Sequence, residues 1–360
     1  MKIIVTAGGQ GTKLWPYSRE DKPKQFQPVI GETSLYTQTI DVLLRKFAPE
    51  DIFISTKRKF IKYVSDQTPQ IPLRNYIVEP DVAKDRGPAE GLAFLRLSVL
   101  HPNEPFFLVQ ADCIRKPEEA FLQMIEDAGK IVERDRRLIT GGIKATEPIL
   151  GIDYLRLGKQ VDGAQQEIYE IDEFLGRKSS VHETRQLIEN YHIVTHSNHY
   201  CWYPDLMLSA YKKYRPDWHK ALMKMKAAFD KPGEDAAIEK IYHTMEKGAT
   251  EEVTKQMMRE SHIILLPFRW TDVGTWGSVS DFFTGGDEKE NYKDGQVVTV
   301  DTTGSLIKTS NENKLVAVAG VQDLIIVDTD DVLLVIPKDK IDKIKDIQAV
   351  LAEEHERKYL

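Results

Sequence analysis

The chain has 360 residues, 41% of them hydrophobic and 29% charged, and a formal net charge of -7. Length and composition fit a globular protein with a full core in about two domains, and the acidic balance argues against a nucleic-acid partner. No apolar run approaches a membrane span, the start lacks the apolar centre of a signal peptide, and two cysteines, Cys113 and Cys201, exclude a disulfide scaffold and fit a reducing cytoplasm.

Ile3, Ile4 and Val5 read as a short buried strand that leads directly into Ala7-Gly8-Gly9-Gln10-Gly11-Thr12-Lys13-Leu14-Trp15-Pro16. Behind the caps Thr33 and Ser34, Tyr36, Ile40, Leu43, Leu44 and Phe47 repeat at helical spacing. Ile52 to Ser55, Tyr76 to Glu79, Phe106 to Val109 and Leu138 to Ile143 are strand candidates. Pro88 and Pro117 each open a helix between them. Strand–helix alternation of this kind indicates a doubly wound α/β sheet, whose ligands bind beyond the carboxyl ends of the strands. Gln166 to Leu175 and Tyr191 to Trp202 look extended, Asp205 to about Ser261 helical, and Ile263 to Phe268 strand-like. After Gly285-Gly286 the pattern changes to short strands rich in valine and isoleucine. Leu324 to Val327 and Val332 to Ile336 flank the turn Asp328 to Asp331, and a charged helix runs from Ile341 to the end.

The glycine loop is the first candidate site. Gly8, Gly9 and Gly11 free the backbone for a close approach, and N–H groups after an N-terminal strand can converge on a phosphate. Lys13, Arg19, Lys22 and Lys24 add cations nearby. Two familiar phosphate motifs do not fit. A Walker loop would end in Gly-Lys-Ser/Thr, and Gly11-Thr12-Lys13-Leu14 does not. A dinucleotide fingerprint needs glycine where Leu14 stands, with a helix opening at once. Asp112 and Asp272 each follow an apolar strand, where an aspartate either turns the chain or holds a divalent cation beside substrate phosphates. The run His192, His196, His199 and Cys201 contains zinc-ligand residue types, yet in an extended segment His192 and His196 face opposite to His199 and Cys201. Hydrogen bonding in a polar pocket is the better reading of that run. No nucleophile elbow surrounds any serine, and Lys57-Arg58-Lys59 with Lys62 reads as a solvated face.

Taken together, Gly8-Gly-Gln-Gly-Thr-Lys-Leu-Trp-Pro-Tyr-Ser-Arg19 and Pro23-Lys-Gln-Phe26 resemble the signature of the mannose-1-phosphate guanylyltransferases. Glu79-Pro80, Asp112 and Trp270-Thr-Asp-Val-Gly-Thr-Trp276 fall where that family has its nucleotide and metal motifs. Lys314 to Gly320, Asp323 to Asp331 and Leu333-Leu334 are similar to its C-terminal β-domain. The resemblance implies an α/β fold, with a nucleotidyltransferase-type (Rossmann-like) mixed-sheet catalytic domain over residues 1–286. A small all-β, left-handed β-helix-like domain with a terminal helix would follow over 287–360. It implies transfer of GMP from GTP to mannose 1-phosphate by in-line attack, a Mg2+ ion on Asp112 and Asp272, a cytoplasmic location and a homodimer. Ala7, Gly8, Gly9, Gly11, Thr12 and Lys13 would hold the triphosphate. Glu79, Pro80, Gly87 and Pro88 would hold the nucleoside, and Lys24 would neutralise charge at the α-phosphate.

The departures from the family pattern concentrate on the sugar side. Lys13 stands for an arginine, losing its planar fork, and Asp112-Cys113 stands for Asp-His. Gly176-Arg177-Lys178 stands for Glu-Lys-Pro, which gives the sugar-phosphate role to Arg177. His196-Ser197-Asn198 stands for Asn-Ser-Gly, Gly151-Ile-Asp-Tyr154 is what is left of the glycine- and tyrosine-rich sugar segment, and Lys84-Asp-Arg-Gly-Pro88 replaces an Arg-Asn-Thr-Ala-Pro pattern. Gly151, Arg177, His196 and Asn198 are therefore the sugar-phosphate candidates. Two alternatives stay open: the same reaction with another sugar 1-phosphate or base, and a non-catalytic sugar-nucleotide sensor.

Overall fold

The structure, a computed structural model, describes residues 1–9, 11–284, 290–354 and 357–360, with the backbone alone at Thr12 and Thr284. The expected boundary at Gly285-Gly286 lies outside the described residues. The strands up to the middle of the chain are β1 (Lys2–Thr6), β2 (Ile52–Lys57), β3 (Tyr76–Glu79), β4 (Phe106–Gln110), β5 (Cys113–Lys116) and β6 (Ile139–Lys144). They are followed by β7 (Asp153–Val161), β8 (Ile168–Arg177), β9 (Ile193–Trp202), β10 (His262–Leu265) and β11 (Arg269–Asp272). The C-terminal strands are β12 (Tyr292–Asp294), β13 (Val297–Val300), β14 (Leu306–Thr309), β15 (Val316–Ala319), β16 (Leu324–Asp328) and β17 (Leu333–Pro337). Helices α1 (Leu35–Leu44), α2 (Ile61–Gln67), α3 (Arg86–Leu100), α4 (Glu118–Asp135) and α5 (Val181–Asn190) precede α6 (Pro204–Tyr214), α7 (Pro216–Lys226) and α8 (Glu234–His243). The last three are α9 (Glu251–Thr254), α10 (Trp276–Thr284) and α11 (Ile344–Glu353).

The chain forms two compact units. The first is Met1–Gly8, Val42–Gln110 and Arg115–Arg269; the second is Gly9–Asp41, Ala111–Ile114 and Trp270–Leu360.

The first unit is built on a nine-stranded mixed sheet in the order β3-β2-β1-β4-β9-β6-β10-β8-β7. Strands β1 to β4 are mutually parallel, with Ile4 beside Phe53 on one side and Leu108 on the other. Their near-continuous apolar runs reflect burial on both faces. The ring of Phe94 on α3 stacks on Phe106, whereas neighbouring Phe107 points to the opposite face, where His199 and then Phe121 of α4 lie. Helices thus cover both sides. Strand β9 runs antiparallel to β4 and β6, which makes the sheet mixed.

Three local differences from the sequence reading have physical causes. Helix α3 starts two residues before Pro88, because Asp85 caps it by accepting from the Arg86 N–H at 2.8 Å; proline still sits in the first turn, where its missing N–H costs nothing. Strand β7 pairs with β8 and, through Tyr154 to Arg156, also with β9, but its second half exposes Lys159 and Gln160, so it lacks the apolar run of the inner strands. Helix α5 is polar and surface-lying, capped by Ser180, whose Oγ accepts from the Glu183 N–H at 3.3 Å.

In the second unit, β12, β14 and β16 lie parallel side by side, with Tyr292 beside Leu306 and Leu306 beside Ile325. β13 and β15 form a second parallel pair. Successive coils stacked in this way make a β-helix-like body, which β17 ends by turning back antiparallel on β16. Its core includes Leu306, Ile325, Val327, Leu334 and Ile336 and is continuous with Leu14, Trp15, Ile114, Val273 and Trp276. Among the described residues no helix is long and apolar enough to cross a membrane.

Candidate active site

The two units divide the candidate residues between them. Gly9, Gly11, Thr12, Lys13, Lys24, Asp112 and Asp272 belong to the second unit. Ala7, Gly8, Glu79, Pro80, Gly87, Pro88, Gly151, Arg177, His196 and Asn198 belong to the first.

In the second unit, the Val273 N–H donates to the Asp112 carbonyl at 3.2 Å, which aligns two segments far apart in sequence. Asp112, Cys113 and Asp272 then present ligand atoms that all lie within 4.8 Å of one another. Lys24 reaches into this group. Its ammonium stands 2.8 Å from Asp112 Oδ2 and 3.4 Å from Asp272 Oδ1, and it donates to the Val273 carbonyl at 3.0 Å. Burial works against the Lys24 charge, but Asp112 and Asp272 outweigh it and leave its pKa raised. The Cys113 thiol donates to Asp112 Oδ1 at 3.7 Å, so both oxygens of Asp112 are oriented. Two carboxylates are the hard oxygen ligands that Mg2+ takes alongside phosphate and water, and the donor set fits that ion. The soft thiol of Cys113 fits it poorly and serves instead as a partner of Asp112.

The glycine loop runs beside this group. Gly11 has a φ of +61°, and a Cβ there would lie 2.4 Å from Lys24 Cγ. Glycine is therefore needed both for the turn and for the passage of the lysine stem. Gln25 holds the loop by donating to the Gly9 carbonyl at 2.9 Å. Lys13 is exposed on a single 3-10 turn, Thr12–Leu14. Arg19 differs from the sequence reading. It is buried and pairs through two nitrogens with Asp331, at 2.8 and 2.5 Å, which removes it from the cations offered to a phosphate. Its Nη1 also donates to the Lys358 carbonyl.

In the first unit, Ala7 is anchored by its N–H to the Ser55 carbonyl and by its carbonyl to the Thr56 hydroxyl. A Cβ on Gly8 would lie 2.2 Å from Glu79 Oε1, so this glycine marks a close approach of loop and carboxylate. Burial pushes the Glu79 carboxyl up to about 7, against the opposing charge of Lys57, while the Tyr242 hydroxyl donates to Oε2 at 3.0 Å. Tyr242 carried no sequence signal, being 163 residues from Glu79. Pro80 follows at the buried end of β3. Gly87 is fixed by packing: a Cβ would lie 2.2 Å from the Trp218 ring, its N–H meets the Gly248 carbonyl, and its carbonyl accepts from Tyr211. Arg86 bridges Glu90 and Glu251 at 2.8 and 2.9 Å and, with buried Pro88, fixes the start of α3.

On the sugar side, β7 and β8 place Asp153 opposite Arg177, whose exposed guanidinium stands 3.8 Å from that carboxylate. Gly151 has a φ of +80° and open space where a Cβ would stand. Asn198 has a φ of +55° in a bulge of β9, where the register with β6 shifts between Thr140 and Gly142. Asparagine tolerates this left-handed backbone better than most side chains, consistent with its standing where the related motif has glycine. His196 Nε2 and the Thr140 hydroxyl are 2.6 Å apart. Burial, then the charge of Arg86, pushes His196 down to about 3, so the ring is neutral. His199 is buried, its pKa likewise pushed well down by burial first, and its Nδ1 is 3.0 Å from the Ser197 hydroxyl. The run His192 to Cys201 does not form a metal-ligand group among the described residues.

The family described as "Nucleotidyl transferase" matches residues 2–285, and "MannoseP isomerase/GMP-like beta-helix domain" matches residues 295–351. A mannose-1-phosphate guanylyltransferase from Escherichia coli is 30% identical over 352 residues, covering 96% of this chain and 74% of that protein. The chain belongs to the mannose-1-phosphate guanylyltransferases of the nucleotidyl transferase family. Another member of the mannose-1-phosphate guanylyltransferases, from Salmonella muenchen, is 28% identical over 351 residues, 96% of this chain and 72% of its own. A crystal structure described as mannose-1-phosphate geranyltransferase from Thermus thermophilus shares 25% identity with a TM-score of 0.84, covering 98% of this chain and 99% of that one. As a nucleotidyltransferase, the protein is an enzyme, and its catalytic fold carries a C-terminal β-helix-like domain.

Proposed function

We propose that the protein transfers GMP from GTP to mannose 1-phosphate, giving GDP-mannose and pyrophosphate. The observation that carries the reading is the convergence of Lys24, Asp112 and Asp272, and the relatives named mannose-1-phosphate guanylyltransferase supply the base and the sugar. An oxygen of the sugar phosphate attacks the α-phosphorus in line. The bond from that phosphorus to the bridging oxygen breaks, and pyrophosphate leaves with the electron pair. Such a transfer asks for positioning and charge stabilisation rather than covalent catalysis.

Each group has one task. The N–H groups of Gly8, Gly9, Gly11 and Thr12 and the Lys13 ammonium bind the triphosphate, Ala7 anchors the start of the loop through its bond to Ser55, and Lys24 neutralises charge growing on the α-phosphate. Glu79, Pro80, Gly87 and Pro88 line the nucleoside site. Gly151, Arg177, neutral His196 and Asn198 hold the sugar phosphate, with Arg177 on its anionic end. Asp112 and Asp272 would hold Mg2+, which when bound supplies positive charge to the phosphate oxygens. The division into a catalytic domain over 1–286 and a β-domain over 287–360 is supported by the two family matches. The protein acts in the cytoplasm, where its phosphorylated substrates are made, and assembles as a homodimer.

A second reading keeps the reaction and changes the sugar or base, and the exposed Arg177 and the bulge at Asn198 favour keeping it in view. Pyrophosphate release is measured with Mg2+, each nucleoside triphosphate in turn and a panel of sugar 1-phosphates. GTP with mannose 1-phosphate is expected to give the highest kcat/KM. Turnover with another pair alone establishes the second reading, and binding of GDP-mannose without turnover in any combination establishes a sensor.

A further inference from the structure

We propose that Lys24 is a built-in competitor for the divalent cation: its ammonium screens Asp112 and Asp272 in the free protein and releases them when phosphate arrives. The proposal rests on those two aspartates being the cation ligands. Lys24 lies within direct reach of both carboxylates, at 2.8 and 3.4 Å, and its side chain is 9% exposed where theirs are 34% and 58% exposed. The ammonium therefore backs the pair from the protein side while the carboxylates face outward. A divalent ion held by the same two carboxylates would have to share them with this charge. Like charges this close repel strongly near a protein surface, and a doubly charged ion doubles the repulsion.

The lysine has little freedom to retreat. Its stem passes Gly11 so closely that a Cβ there would lie 2.4 Å from Cγ, and its ammonium is further held by the Val273 carbonyl at 3.0 Å. A favourable alternative partner must come from outside. The triphosphate supplies one, because the stem of Lys24 packs on the very loop assigned to phosphate binding. The cation then enters as its nucleotide complex, and the positive charge of Lys24 passes from the carboxylates to the phosphates in the same event. An empty site does not accumulate free metal.

Binding of Mn2+ alone to the nucleotide-free full chain tests this, read from the signal of unbound Mn2+ in electron paramagnetic resonance. Lys24→Met keeps the stem and removes the charge, and it is expected to bind Mn2+ about tenfold tighter than wild type or better, roughly 1.4 kcal/mol or more. Lys24→Arg keeps the charge and is expected to stay as weak as wild type. Adding Asp112→Asn to Lys24→Met should abolish the gain. Lys24→Gln provides a second neutral side chain if Lys24→Met fails to fold, and Mn2+ should raise the Tm of either neutral variant more than that of wild type. Unchanged or weaker Mn2+ binding by folded neutral variants, with Asp112→Asn still reducing it, overturns the competition and leaves the site assignment standing. Binding indifferent to Asp112→Asn in every background overturns the site assignment itself.

Discussion

Glu79 favours its protonated form, and ionising it costs stability. Burial is the main cause of its displacement from the ordinary 4.5 to about 7, and Lys57 and the Tyr242 hydroxyl oppose it without cancelling it. Because the folded value lies above the unfolded one, the stabilising contribution of the protonated carboxyl is complete below about pH 4.5 and is lost as the pH rises through about 7. The difference amounts to about 3 kcal/mol over that window. Glu79→Gln is expected to remove this dependence, so its Tm relative to wild type should climb between about pH 5 and about pH 8 in thermal melts. Parallel curves would exclude Glu79 as the titrating group. The carboxylate itself was legible in the sequence, as Glu79-Pro80 after a strand. Its partner Tyr242 was not, since no pattern links a helix residue to a strand end 163 positions away. Asp112 and Asp272 were legible for a similar local reason, each following an apolar run. Cys113 was visible only as a departure from a family pattern, and its hydrogen bond to Asp112 gives that departure a role.

The glycine loop reads in the sequence as three equivalent glycines, and the structure sets the three apart. A Cβ on Gly9 meets nothing within 4 Å, one on Gly8 meets Glu79, and one on Gly11 meets Lys24 under a positive φ. Gly11→Ala is therefore expected to destabilise the protein by about 1–3 kcal/mol and to raise the KM for GTP. Gly9→Ala should leave the stability unchanged; denaturant melts on the two variants make the comparison, and steady-state kinetics on Gly11→Ala check its KM. The inner strands were readable because burial on both faces demands unbroken apolar runs. Strand β7 buries only Tyr154 and Leu155 and ends in the exposed Lys159 and Gln160, which hides it. Helix α5 did announce itself, through the capping pair Ser180 and Glu183, a signal that its polar composition made easy to overlook. Arg19 shows the opposite limit. Proximity to the glycine loop suggested a phosphate ligand, but the side chain turns to a carboxylate 312 residues away.

Within the second unit, chain ends far apart in sequence are joined by directional bonds as well as by a common core. Arg19 pairs with Asp331, the Trp15 indole N–H donates to the Tyr359 carbonyl at 2.5 Å, and the Trp276 indole N–H donates to the Trp15 carbonyl at 2.9 Å. Arg19 is buried while Asp331 is half-exposed, so solvent weakens the pair. Its two-nitrogen geometry raises it above an ordinary surface contact. A double-mutant cycle over Arg19→Ala and Asp331→Ala is expected to give a coupling of about 1 kcal/mol in unfolding free energy. Strictly additive losses would reduce the pair to a bystander.

The shared core of Trp15, Val273, Ile325 and Leu334 has a further consequence for how such a chain can change over generations. A domain held by a linker can be lost, duplicated or exchanged by a single recombination. Here the β-helix coils and the residues that follow the first strand complete one another's packing. A frameshift that removed the last coils would strip apolar cover from the same core that seats Trp15 behind the glycine loop. The β-helix coils and the segment that carries the glycine loop thus share one packing requirement.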